Sequence, residues 1–195
     1  MKFVPSYQIT VSLGGSMRFF KALLLLVGVL AAIFLVGGMI VPNTWTVRRS
    51  TIIAAPPEAI YPHISEFKKW NDWAPWGTDK DPTLAYTYEG PESGPGAMQR
   101  WTSKKMGTGW MKIKESSPEK GLTYTLFIDM GGFQSELEGE LTLTPVNGMA
   151  TQVTWTDHGD AGKDLRKKWM NILMDPMLGK EFEVGLAKLR KLVEN

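Results

Sequence analysis

The sequence predicts an α+β fold, a curled antiparallel sheet around a long C-terminal helix, preceded by one transmembrane helix. Three observations carry that expectation. An uncharged apolar run fills residues 22–41, period-two alternation recurs between residues 84 and 156, and the chain ends in apolar stripes at helical spacing. Successive strands followed by a terminal helix are an α+β order, unlike alternating βαβ units.

The apolar run reads ALLLLVGVLAAIFLVGGMIV and holds no strongly polar side chain. At about 1.5 Å per residue such a helix covers about 30 Å, the thickness of a bilayer's hydrocarbon core. A buried helix of a soluble domain would show a polar face, and this segment has none. A cleaved signal peptide would have a shorter apolar core, and residues 36–38 make only a weak cleavage site. We therefore expect a signal-anchor helix over residues 18–42, behind a polar leader at 1–17, of which a start at Met17 would remove residues 1–16. Lys2, Arg18 and Lys21 on one side against Arg48 and Arg49 on the other favour, slightly, a cytoplasmic N-terminus and an extracytoplasmic domain.

Residues 44–195 are the length of one ordinary domain. Only Lys2, Arg18 and Lys21 of the 22 basic residues precede it, while all 20 acidic residues lie within it. A nearly neutral domain lacks the basic footprint of a nucleic-acid binder, so nucleic acid is not an expected partner. The absence of cysteine excludes disulfides, thiolate nucleophiles and cysteine-ligated metals.

The stretch TWTVRRSTII is rich in β-branched and aromatic residues and reads as a first strand. Pro56 and Pro57 end it, and Pro57 with Glu58 suits a helix N-terminus, so short helices are predicted at 57–64 and 66–71. Beyond them Leu84, Tyr86 and Tyr88 alternate with polar residues, as do Met111 and Ile113, then Leu122, Tyr124, Leu126, Ile128 and Met130. Leu137, Leu141 and Leu143 follow, and then Val153 and Trp155. Alternation of this kind describes antiparallel strands with one wet and one buried face. Glycine-containing turns separate them at 90–96, 106–109, 120–121, 131–132 and 147–148. Leu165, Trp169, Ile172 and Leu173 form one terminal stripe; Phe182, Leu186, Leu189 and Val193 form another. Pro176 between them predicts a kink or break near Asp175.

Chemical motifs are sparse. His63 and His158 lie in no metal-binding spacing, no metal site or cofactor is expected, and no nucleophile elbow or phosphate loop is present. Gly107-x-Gly109 reads as a hairpin turn. In Thr156-Asp157-His158-Gly159-Asp160, Asp157 would orient His158 for acid–base work on an enolisable substrate. The same residues also make an ordinary polar turn, and parity puts His158 on the wet face with Thr154 and Thr156.

Several segments resemble the START-like polyketide cyclase and lipid-transport superfamily, also called SRPBCC, which has the helix-grip fold. They are Ile53-Ala54-Ala55-Pro56-Pro57-Glu58-Ala59-Ile60, Trp70-Asn71-Asp72-Trp73-Ala74-Pro75-Trp76, Gly94-Pro95-Gly96-Ala97 and 107–113. Thr151-Gln152-Val153-Thr154-Trp155 and 174–182 complete the set. Together they are similar to the membrane-anchored bacterial branch. The resemblance implies a deep apolar cavity between sheet and C-terminal helix. It carries no reaction with it, since the superfamily holds carriers, sensors, co-chaperones and a minority of enzymes.

The expected cavity wall draws on Trp73, Trp76, Trp101, Trp155 and Trp169, with Met111, Met174 and Met177 as adaptable filler. Leu126, Ile128, Leu141 and Leu173 add apolar surface, and Tyr124, Arg100 and Glu115 are candidate polar groups, Tyr124 by the firmest parity. Plain core packing explains Trp70 and Trp155 equally well. Three functions remain open: a tethered carrier of a hydrophobic small molecule or lipid, a cyclase or dehydratase using His158 and Asp157, and an interaction or stress-response module with no cavity.

Overall fold

A computed structural model describes residues 14–195; the expected leader lies outside the described residues up to residue 13. The chain divides into two compact units, Met1–Val41 and Pro42–Asn195. In the first, helix α1 spans Gly14–Ile40, and its stretch Met17–Ile40 is long and apolar enough to cross a membrane. Beyond Arg18 and Lys21 near its start, residues 22–40 carry no polar stripe, as a helix in hydrocarbon requires.

The second unit is built on seven antiparallel strands. They are β1 (Thr44–Ile53), β2 (Ala85–Glu89), β3 (Met98–Ser103), β4 (Gly107–Ser117), β5 (Gly121–Asp129), β6 (Gln134–Asn147) and β7 (Ala150–Asp160). Their order across the sheet is β1-β7-β6-β5-β4-β3-β2, so only β1 breaks the meander, pairing with β7 from Thr44↔Asp160 to Ile53↔Thr151. Helix α2 (Pro57–Ser65), a 3-10 turn (Phe67–Lys69) and helix α3 (Trp70–Trp73) connect β1 to β2. Helix α4 (Leu165–Glu194) crosses the concave face. This is the α+β helix-grip architecture.

Of the kink or break expected near Asp175, the break does not occur. Helix α4 is helical through all 30 of its residues, starting from Asp164, whose carboxylate accepts the Arg166 N–H. A clamp from β1 spans the proline. The Arg49 guanidinium donates to Asp175 Oδ1 at 2.8 Å and to Glu183 Oε1 at 2.7 Å, two turns apart on one helix face. Between them sits Gly179, where a Cβ would lie 2.0 Å from Arg49 Nη2, so a side chain there would displace the guanidinium.

Inward side chains form successive tiers across the paired strands, because the register aligns them. Trp101, Gly109, Ile128 and Ser135 make the first tier. Gln99, Met111, Leu126, Leu137, Gly159 and Trp45 make the second. Ile113, Tyr124, Gly139, Asp157 and Val47 form the third, and Leu122, Leu141, Trp155 and Arg49 the fourth. The lower tiers are packed solid. Trp155 stacks on Phe182 of α4 with centroids 4.2 Å apart and planes at 3°, while Trp70, Trp73 and Trp76 surround it at 5.5–5.8 Å. Leu186 and Leu189 complete this core.

Candidate ligand-binding site

Along the N-terminal half of α4 the helix stands off the sheet, leaving a cavity of about 410 Å³. The first two tiers are its inner wall: Trp101, Met111, Leu126, Ile128, Leu137 and Trp45. Met170, Met174, Met177 and Leu178 face them from α4, and Trp70, Ala74, Trp76 and Tyr86 close one side. The β3–β4 and β5–β6 turns contribute Lys105, Met106, Met130 and Phe133 to the rim. Asn71, Gln99 and Ser135 place amides and a hydroxyl on the wall, and Asp160, Ala161, Lys167 and Asn171 complete the rim.

Aromatic rings lying down on glycines keep this space open. Trp101 is the direct cross-strand partner of Gly109, where an added Cβ would meet the indole Cζ2 at 2.2 Å. Trp45 is paired with Gly159 in the same way, at 2.7 Å from its Nε1. One tier down, Tyr124 covers its partner Gly139, with Cζ 2.1 Å from the position of a Cβ. A side chain at Gly159 would press on the Trp45 ring alone, whereas at Gly109 it would also meet the Phe127 carbonyl at 2.3 Å and at Gly139 the Asp157 carboxylate at 2.4 Å. Gly109 therefore belongs to strand β4 and seats Trp101; the turn itself is at Gly107, whose φ is +68°.

Twelve residues were expected to line the site, and the structure divides them. Trp76, Trp101, Met111, Leu126, Ile128 and Met177 meet at the cavity. Trp73, Tyr124, Leu141 and Trp155 face the same interior but are fully buried beneath its floor. Trp73 spends its indole N–H on the His63 carbonyl, and Trp155 donates to Tyr124 Oη at 2.7 Å. Leu173 is 49% exposed, and Trp169, on the same helix, is outside the lining. Arg100 and Glu115 point outwards, Arg100 to Glu89 at 2.6 Å and Glu115 beyond a bulge after Ile113. Both glycine-seated tryptophans are part of the wall, yet Trp45 went unrecognised, although its place opposite Gly159 follows once β1 is paired with β7.

The Asp157/His158 pair is divided by the pleat. Asp157 faces the interior, and His158, its neighbour in an extended strand, is exposed on the other side. Neither histidine lines the cavity. Asp157 has a different partner: the Tyr124 hydroxyl donates to Asp157 Oδ1 at 2.5 Å and accepts from the Trp155 indole. Burial pushes the Asp157 carboxyl up to about 7, against the pull of the Tyr124 and Trp155 donors. Burial, with the nearby carboxylate, also holds the Tyr124 hydroxyl well above its ordinary range. A buried carboxyl with a raised pKa thus borders a mainly apolar space. Among the described residues no three His, Asp or Glu side chains are grouped to hold a metal.

Solved structures share this architecture. A Chromobacterium violaceum protein is similar over 79% of this chain and 99% of its own, with 19% identity and a TM-score of 0.55. A Thermobifida fusca protein matches 76% of this chain and 92% of its own at 21% identity and TM-score 0.55. A Thermus thermophilus protein does so over 76% and 96%, at 20% identity and TM-score 0.52. At these identities the likeness is one of fold. Comparison with curated proteins finds no match. The model of the polyketide cyclase/dehydrase and lipid transport family covers residues 44–194, so the chain belongs to that family, whose fold is consistent with binding hydrophobic ligands.

Proposed function

We propose that this chain is a membrane-anchored binding protein that holds a hydrophobic small molecule or lipid between the sheet and α4. The supporting observation is the cavity of about 410 Å³, inside the range of ordinary ligand pockets and walled almost wholly by carbon and sulfur. A module with no cavity would have the first two tiers packed as tightly as the lower ones. In this reading residues 22–41 are a single-pass anchor, and the domain is extracytoplasmic.

The test is native mass spectrometry of the full chain extracted in mild detergent, with uptake of a nitrobenzoxadiazole-labelled fatty acid measured alongside. A reproducible bound mass and saturable uptake are expected; neither appearing would end the carrier reading. For the topology, a cysteine placed at Glu119 should react with a membrane-impermeant maleimide in intact cells, and protection until lysis would reverse the assignment.

One observation favours a second reading. Asp157, protonated over part of the neutral range and held by Tyr124, is suitably placed to give a proton to a bound carbonyl or hydroxyl oxygen, as a cyclase or dehydratase needs. His158 has no part in it. Ligands carried by wild type and by Asp157→Asn, differing by the mass of one water, would support this enzyme reading; identical ligands would favour the carrier.

A further inference from the structure

The cavity opens at one particular end of the sheet. In an antiparallel meander alternate turns share an end, and the register puts the β3–β4 turn, the β5–β6 turn, the start of β1 and the end of β7 together. The β4–β5 and β6–β7 turns lie at the other end, closed by the packed tiers. Rim residues Lys105, Met106, Met130, Phe133 and Ala161 all come from the open end.

The same end is where the domain's chain begins. Asn171 of α4 donates through Nδ2 to the carbonyls of Pro42 and Asn43 at 3.0 and 2.8 Å, and the Ala161 N–H donates to Asn43 at 2.8 Å. Asn171 and Ala161 both line the cavity. The polypeptide running to the apolar segment is therefore fixed to the rim by three hydrogen bonds.

This end of the domain is amphipathic. Met130 and Met177 on the cavity wall, and Ile172 and Leu173 on the adjoining outer side of α4, are each about half exposed. Lys105 and Lys167 of the rim, with Lys104 and Lys163 beside them in sequence, have no carboxylate partner among the described residues, and Lys105 donates only to the Lys80 carbonyl. The acidic groups here are engaged locally: Asp129 caps the Gly132 N–H, Asp160 the Gly162 N–H, and Asp164 pairs with Arg166. Lys167 Nζ lies 5.7 Å over the Phe133 ring. Exposed methionine and leucine beside lysines that have no carboxylate partner match an interface of acyl chains beneath anionic headgroups.

We infer that this rim, formed by the β3–β4 turn, the β5–β6 turn and the first half of α4, docks on an anionic bilayer, so that the cavity loads directly from the membrane. The inference rests on α1 being the anchor. Docking holds the open end against the headgroups, and a hydrophobic ligand enters between Met130 and Met177 without crossing water.

The cysteine-free sequence makes the test direct. Single cysteines at Met130, Leu173 and, as the far-end control, Glu119 are labelled with nitrobenzoxadiazole in the full chain. The labelled chain is reconstituted into vesicles of phosphatidylcholine alone or with one part in four phosphatidylglycerol. In anionic vesicles the labels at 130 and 173 should shift to the blue and be quenched by spin-labelled lipid several times more than the label at 119. Replacing Lys104, Lys105, Lys163 and Lys167 together by Gln should remove most of that difference. Water-like emission at both rim positions, or a shift that appears only with added membrane protein, overturns the inference. Ligand retention is read separately in detergent without a bilayer, so loss of docking and loss of binding are distinguishable.

Discussion

Trp101 lies flat across Gly109, its directly paired neighbour on β4, and Trp45 lies across Gly159 in the same manner on the opposite wall. These contacts let large aromatic residues contribute surface to a cavity that they would otherwise fill. A tryptophan standing upright in either place would reach towards α4, and the space would close.

The Trp45 seat is the cleaner one to test, since the three atoms nearest a Cβ at Gly159 all belong to the Trp45 ring. Gly159→Ala should tip the indole inwards, reduce fatty-acid uptake, and cost about 1–3 kcal/mol by overpacking. Removing the ring in the double variant Gly159→Ala/Trp45→Ala should restore uptake, and a double-mutant cycle in denaturant should show strong coupling. Additive effects with unchanged uptake would mean that the ring does not shape the cavity.

Helix α4 should answer to mutation differently in its two halves. Phe182, fully buried on Trp155, should cost about 3–5 kcal/mol when changed to Ala, measured by chemical denaturation. Met174→Trp points bulk into the open half; it should abolish uptake while changing stability by less than about 1.5 kcal/mol. A large stability loss from Met174→Trp would show that the first half is packed too.

Asp157 should give the domain a pH dependence of unfolding. Its carboxyl is raised from 3.8 to about 7 in the fold, so the folded state binds the proton more tightly than the unfolded chain. The stabilisation is complete below about pH 4 and is lost as pH rises to about 7, with a slope of up to about 1.4 kcal/mol per pH unit between. Asp157→Asn should flatten that window in denaturant titrations at several pH values. A wild-type profile that is already flat from pH 4 to 7 would place the carboxyl in contact with water.

The Arg49 clamp is half in solvent, so Arg49→Gln should shift the unfolding midpoint only slightly, and less still at high salt. Its larger effect is expected in mobility. Amide exchange over residues 165–178 should quicken when the tie across Pro176 is cut, while residues 182–193, held by the core, stay protected. Uniform protection of both halves would leave the clamp without that role.

Much of the fold was legible because alternation and helical spacing are local. Period two assigned Leu122, Tyr124, Leu126 and Ile128 to one face, and α4 was foreseen from its two stripes. At Pro176 the sequence left a kink or a break open; helix α4 runs through it unbroken, and Arg49, more than a hundred residues away, bridges the proline. For the site, parity separated inside from outside but could not give depth. Leu126 and Leu141 share the interior face with Tyr124, yet only Leu126 reaches the cavity, because Leu141 lies two tiers lower.

What the sequence by itself determined is therefore the apolar segment, the order of the helices and of the strands other than β3, the face taken by the alternating apolar residues of β4 to β7, and the family. Tertiary structure alone decided that Tyr124 rather than His158 is the partner of Asp157, that glycines seat the tryptophans, and that α4 grips at one end and stands clear at the other. The physical reason is that propensity and periodicity act over a few residues. Ring placement, burial of a carboxyl and the gap beneath a helix arise between strands far apart in the chain, and become defined only when their register is set.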